Sequence, residues 1–78
     1  MTTTTIYTDG ACKGNPGPGG WAYVLEHNGK VITSAGSERD TTNNRMELMG
    51  AIQGLEYAHQ MKSLGRVRVV TDSAYVVN

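Results

Sequence analysis

From Thr5 to Thr8 the chain is β-branched or aromatic, and this predicts a half-buried strand whose period of two places Tyr7 and Asp9 on one face. Gly10, Gly14, Gly17, Gly19 and Gly20, interleaved with Pro16 and Pro18, predict that this strand stops near Asp9 and gives way to a loop that another backbone or a ligand can approach. Trp21–Leu25 reads as a second strand, Asn28–Gly29 as a tight hairpin turn, and Val31–Ala35 as the returning strand. The polar stretch from Gly36 to Asn43 reads as a turn. Asn44 precedes Glu47 by three residues, as in a capping box, so a helix is expected to start near Asn43 or Asn44. Leu48, Ala51, Ile52, Leu55, His59 and Lys62 then recur at helical spacing and form the expected inner stripe, with Glu47 at its edge. Gly65 ends the helix. Arg66–Thr71 is the next strand, with Val67 and Val69 on one face and Val70 and Asp72 on the other.

A strand, a helix and a second strand in that order imply a crossover that lays the last strand parallel to the first. Asp9 and Asp72 then fall at carboxyl ends of parallel strands, where open α/β sheets place their ligands. Asp72 or Ser73 can cap a further helix through Ala74–Val77, but the sequence stops at Asn78 after little more than a turn. The fold class expected is α/β: a mixed sheet of β-β-β-α-β plus the start of a helix. No repeat, low-complexity tract or linker divides the chain, so residues 1–78 read as one domain, incomplete at its C-terminus.

Composition adds limits. Seven basic and seven acidic residues leave no net charge, so contact with an anionic partner must be local rather than driven by a global field. The single Cys12 cannot form an internal disulfide, the N-terminus lacks the basic and apolar regions of a leader, and no window resembles a membrane span; a cytoplasmic protein without membrane contact is expected.

Each acidic residue has an ordinary role when taken alone: Asp9 in a turn, Glu47 in a capping box, Asp72 as a helix cap. Together they come from two strand ends and the first turn of the crossover helix, and are expected at one rim. Carboxylates clustered with no lysine between them repel by several kcal/mol at an effective dielectric of ~20, and a cation relieves that repulsion. An all-oxygen set suits Mg²⁺ or Mn²⁺ better than zinc, and such ions commonly meet phosphate oxygens.

Three blocks carry a closer likeness. Tyr7–Cys12 followed by Gly14–Gly20, then Thr42–Leu48, then Val70–Ser73 with Tyr75 and Val76, resemble type 1 ribonuclease H from Ile6 to Asn78. The resemblance implies an endonuclease that hydrolyses the RNA strand of RNA–DNA hybrids with two metal ions, Mg²⁺ or alternatively Mn²⁺, leaving a 3′-hydroxyl and a 5′-phosphate. It implies that Asp9 bridges both ions, that Glu47 and Asp72 hold the one on the leaving-group side, and that Glu47 also meets a ribose 2′-hydroxyl. Gly10, Cys12, Asn15, Asn43 and Asn44 match residues that read the minor groove, and Thr42 matches a phosphate contact on the DNA strand. Amide side chains donate and accept, which suits the 2′-hydroxyl that marks RNA. Helix capping is the ordinary alternative for the asparagines.

The family pattern continues with more helices, a fifth strand, a mobile histidine and a fourth carboxylate, none of which lies within residues 1–78. It commonly has glutamine where Ala74 stands. His27, at a hairpin, and His59, late in the helix, do not replace the missing histidine. Cys12 reads as a small groove-lining residue rather than a nucleophile. The chain alone is therefore expected to be marginally stable, with the Val67–Val70 strand an open edge. The complete protein is expected to be a monomer. The rival reading is a chain that binds hybrids without cutting, or is completed in trans by association at that edge. Another nuclease or integrase-like member of the same superfold fits the acidic rim but leaves the asparagine-rich helix start unexplained.

Overall fold

The computed structural model describes residues 3–14, 16–61 and 65–71. Three strands, β1 (Thr3–Cys12), β2 (Gly17–His27) and β3 (Lys30–Thr41), precede the helix α1 (Asn43–Gln60) and the strand β4 (Arg66–Val70). They form one sheet in the order β3-β2-β1-β4. The meander β1–β2–β3 is antiparallel, and β4 returns parallel to β1 with Ile6 opposite Val69 and Tyr7 opposite Val70. The mixed α/β architecture, the parallel return and β4 as an edge among the described strands are those expected from the sequence. The expected helix from Asp72 or Ser73 lies outside the described residues.

The strands are longer than the apolar runs suggest. β1 does not stop at Asp9: Gly10, Ala11 and Cys12 stay in the ladder opposite Trp21, Gly20 and Gly19. Likewise, the stretch from Gly36 to Thr41 is not a turn but the second half of β3, paired with the start of β2. Composition misled in both places because a backbone hydrogen-bonded to β2 remains in the sheet whatever its side chains. The ladder of β2 and β3 slips between the pairs Gly17–Thr41 and Gly19–Glu38, which leaves Pro18 facing one residue too many. A bulge is where a sheet accommodates a proline that lacks a donor. At the other end Asn28 (φ 50°) and Gly29 (φ 79°) form the two-residue turn with both residues left-handed, as predicted.

α1 packs on one face of the sheet through an unexpected stripe. Met46, Gly50, Ala51, Gly54 and Ala58 are its buried residues, whereas Ile52 and Leu55 are 46% and 43% exposed and His59 is exposed. Of the predicted stripe, Ala51 is buried and Lys62 lies outside the described residues. Hydrophobicity pointed to the large side chains, but the sheet selects the small ones. A Cβ on Gly54 would lie 2.6 Å from Ile6 Cγ2, and one on Gly50 would lie 3.1 Å from the Ala22 carbonyl oxygen and 3.3 Å from that of Asp9. The helix therefore rests close to main chain, and larger residues turn to its flanks.

Beneath it, Ile6, Tyr23, Leu25 and Ala58 form the buried cluster, with Trp21, Ile32, Tyr57, Met61 and Val69 around it. Trp21 and Tyr23 lie parallel at 6.3 Å between ring centroids, and Tyr57 meets Tyr23 tilted at 6.4 Å, within the range in which aromatic rings attract. The indole lies over Gly36, its cross-strand partner, where a Cβ would come within 2.5 Å of Cζ2.

Candidate active site

Alternation along β1 decides where Asp9 stands. Ile6 belongs to the cluster under α1, and Gly10 faces α1 so closely that a Cβ there would overlap the Met46 carbonyl and lie 2.6 Å from the Glu47 nitrogen. Asp9, between them in phase with exposed Tyr7, is on the opposite, open face and is itself exposed. Cross-strand pairing puts Ala22 beside Asp9 and Ala35 beside Ala22. Small residues thus floor the sheet next to this carboxylate. A hollow of about 300 Å³ lies there, lined by Asp9, Gly10, Ala11, Gly20, Trp21, Ala22, Ala35 and Gly36. The two-residue hairpin turn makes the Ala22–Ala35 pairing readable from sequence by counting outward, but nothing in the sequence fixes which residue of β2 opposes Asp9.

Glu47 is half-buried in the first turn of α1. Gly10 brings this turn down onto β1, so the strand position next to Asp9 and the helix position of Glu47 are in backbone contact. Asp72, the third expected carboxylate, lies outside the described residues. Among the described residues no three histidine, cysteine, aspartate or glutamate side chains gather as a metal-binding group.

The helix start is organised differently from the expected Asn44–Glu47 box. Thr42 is the N-cap, extended at φ −125° and ψ 159°, and its Oγ1 accepts from the Arg45 N–H at 3.2 Å. Asn43 and Asn44 are consequently the first two helical residues, exposed at the tip. The cap falls on Thr42 because β3 runs on to Thr41, leaving one residue to change direction. Asn43 then reaches back to β1, its Oδ1 accepting the Cys12 N–H at 3.1 Å. Arg45 leans to β3, 3.4 Å from Glu38 Oε1, an exposed pair of small energetic weight.

Cys12 joins these segments. Its Sγ lies 3.3 Å from the Gly17 carbonyl oxygen and 3.2 Å from that of Thr41, while Lys13 N–H donates to the Pro18 carbonyl at 2.8 Å. The ends of β1 and β3 and the starts of β2 and α1 therefore meet at one half-buried thiol. That position gives Cys12 an inward, structural side chain. Asn15, expected among the groove contacts, lies outside the described residues.

Among the described residues this end of the sheet carries carboxylates, amides and a hydroxyl, and no nucleophile is paired with a base.

A family model described as RNase H matches residues 1–78. A ribonuclease H of Maricaulis maris is 57% identical over 76 residues, 97% of this chain and 50% of that protein; one of Legionella pneumophila (strain Corby) is 59% identical over 71 residues, 91% and 48% respectively. The chain spans about half the length of the curated relatives it matches. Among solved structures, the N-terminal RNase H domain of a Mycobacterium tuberculosis protein superposes with a TM-score of 0.88 at 32% identity, covering 99% of this chain and 57% of that one. LC11-RNase H1, solved in complex with an RNA/DNA hybrid, gives 0.83 at 34% identity over 95% and 57%.

Proposed function

The chain belongs to the RNase H family, and from that premise we propose that it supplies the substrate-reading rim and part of the carboxylate site of an endonuclease acting on RNA–DNA hybrids. The observation that carries this reading is the contact of Gly10 with Met46 and Glu47, which brings the strand bearing Asp9 against the helix turn bearing Glu47, with Asn43 and Asn44 exposed at the same helix start. A structural neighbour solved with an RNA/DNA hybrid supports the choice of ligand.

Asp9 and Glu47 offer only oxygens, and the small-residue hollow beside Asp9 leaves space for a hydrated cation, so this donor set fits hard divalent ions. Asp9, Glu47 and Asp72 would hold Mg²⁺, with Mn²⁺ as the substitute. Held by these carboxylates, such ions would supply activation of the attacking water and stabilisation of the leaving oxygen of the phosphodiester, with 3′-hydroxyl and 5′-phosphate ends as the products expected. The rest of the work falls to this chain's own groups. Gly10 and Cys12 present main chain where the minor groove passes, Asn15, Asn43 and Asn44 supply amides for base edges and ribose, and Thr42 offers a hydroxyl to a phosphate of the uncut strand. Glu47, one turn beyond Asn43 in α1, is the carboxylate suited to accept from a ribose 2′-hydroxyl.

The test is cleavage of an end-labelled RNA–DNA hybrid with Mg²⁺ and then Mn²⁺, with identification of the product ends, alongside Asp9→Asn. Metal-dependent cutting of the RNA strand that disappears in Asp9→Asn is expected. Cutting unchanged by that substitution would sink the assignment, and hybrid binding without turnover in either metal would favour a purely binding role for the chain.

A further inference from the structure

Among the described strands β4 has a neighbour on one side only, so its outer row of N–H and C=O groups faces away from the sheet. α1 sits over β1 and β2 rather than β4, with Gly50 and Gly54 against Asp9 and Ile6 of β1 and against Ala22 and Tyr23 of β2. Neither proline, glycine nor a bulge, devices that commonly protect an edge, interrupts Arg66–Val70. Pairing with β1 sorts its side chains by face. Val69 stands beside Ile6 on the α1 side, and Val67, on that same side, is 39% exposed. Arg66, Arg68 and Val70 stand beside Thr3, Thr5 and Tyr7 on the open side, the side of Asp9. Charge on the open face is thus divided along the strands, with two arginines at the start of β4 and Asp9 past its end. Glu26, across Thr5, is level with Arg68 in the same sheet, but among the described residues nothing acidic is level with Arg66.

We infer that β4 pairs antiparallel with β4 of a second copy about a two-fold axis at Val69, joining the two four-stranded sheets edge to edge and bringing Arg66 of each copy to the partner's Asp9. The arginines select this register. An axis at Arg68 sets the two Arg68 side chains opposite each other, and an axis at Val67 sets Arg66 opposite Arg68; like charges so opposed are destabilising. The axis at Val69 opposes valine to valine, and Arg68 to the partner's Val70. Arg66 then lies two residues past the partner's Val70, level with the partner's Asp9, because Asp9 lies two residues past Tyr7, with which Val70 pairs. Two strand spacings, about 10 Å, separate the two backbones, a gap that an arginine and an aspartate side chain on the same face together span. The chain carries no net charge, so copies do not repel at long range. A two-fold pair uses both β4 edges and so closes at two copies. The association does not rest on the function proposed above. Only its consequence does: on that reading, the partner's guanidinium stands at the carboxylate site.

Sedimentation equilibrium of the 78-residue chain from about 1 to about 100 μM, where modest interfaces dissociate, should show a monomer–dimer equilibrium. The melting temperature by circular dichroism should rise over the same range, since association stabilises the folded chain by mass action. Arg66→Glu and Asp9→Arg, both at surface positions, should each weaken the dimer roughly tenfold, the effect of one close interfacial charge pair. Combined in one chain, the two substitutions should restore it, because each arginine again faces a carboxylate. With Cys12→Ser as background, Val69→Cys should cross-link under an added thiol oxidant and Arg68→Cys should not, because only cysteines facing one another at the axis come within disulfide reach. A chain monomeric or unfolded throughout the range, open-ended oligomers, a double variant no better than either single one, or cross-linking at Arg68 instead of Val69 overturns the inference. No nucleic acid enters these measurements, so they stand or fall independently of hybrid binding and cleavage.

Discussion

Gly10 and Met46 touch through their main chains, so that a single methyl group on the strand residue would overlap the carbonyl of the helix residue. Because this contact also joins the strand that carries Asp9 to the helix turn that carries Glu47, Gly10→Ala should damage both stability and, on the proposed function, activity. The methyl would meet backbone, which cannot rotate aside, and the cost should be about 3 kcal/mol, the upper end for overpacking. Urea denaturation and hybrid cleavage of the same preparation check it, and the activity of the fraction that remains folded should be reduced as well.

Gly54→Ala is expected to be milder. Its methyl would press on the Ile6 Cγ2 methyl at 2.6 Å, a side chain that can shift, and alanine recovers about 1 kcal/mol of helix propensity. A net loss of roughly 1 kcal/mol should appear in denaturant, with kcat little changed, since the contact lies two turns from Glu47.

Removing the cap by Thr42→Ala should cost about 1 kcal/mol, because the Arg45 N–H loses its acceptor. Asn44→Ala should leave the melting temperature nearly unchanged while raising KM for a hybrid. The two thermal shifts, measured together, decide whether the cap is at Thr42, as described, or at Asn44, as the Asn44–Glu47 spacing suggests.

Asp9 is exposed, with alanine for its cross-strand neighbour in β2, so Asp9→Asn should be accepted by the fold without strain. Circular dichroism and melting should match those of the parent, and hybrid cleavage should be lost in both Mg²⁺ and Mn²⁺.

Leu25 is fully buried and Leu55 is 43% exposed, although both look equally suited to a core in the sequence. In the 78-residue chain Leu25→Ala should cost about 2–5 kcal/mol, and Leu55→Ala less than about 1 kcal/mol. Comparable losses at the two positions would show that the helix presents its large apolar stripe to the sheet after all.

Much of this was legible in the sequence, and the failures share a cause. The meander, the Asn28–Gly29 turn, the crossover helix and the parallel return of β4 follow from local patterns: alternation, a dipeptide with left-handed propensity, a helical period, an element order. What local patterns could not supply was the distance between elements. The buried face of α1 was misassigned because Gly50 and Gly54 have no hydrophobicity to register, although absence of a side chain is what admits the sheet. The β1 end and the Gly36–Thr41 stretch were misread as loops because glycine and polar residues are poor strand formers in isolation, and pairing overrides that preference. The proposed site residues were chosen on a different ground. Asp9, Glu47 and the asparagines stand in the blocks that carry the family resemblance, whereas the alanine and glycine floor beside Asp9 depends on a register that only the folded sheet reveals.

Where Gly10 meets Met46, the separation of strand and helix is set by the radii of peptide atoms, which no substitution elsewhere can alter. Side chains across the rest of the sheet can drift over generations, changing volume and repacking their neighbours, without moving the turn that carries Glu47 relative to the strand that carries Asp9. The glycine thus serves as a gauge block, a fixed length against which the spacing of strand and helix turn is kept while the surrounding sequence varies.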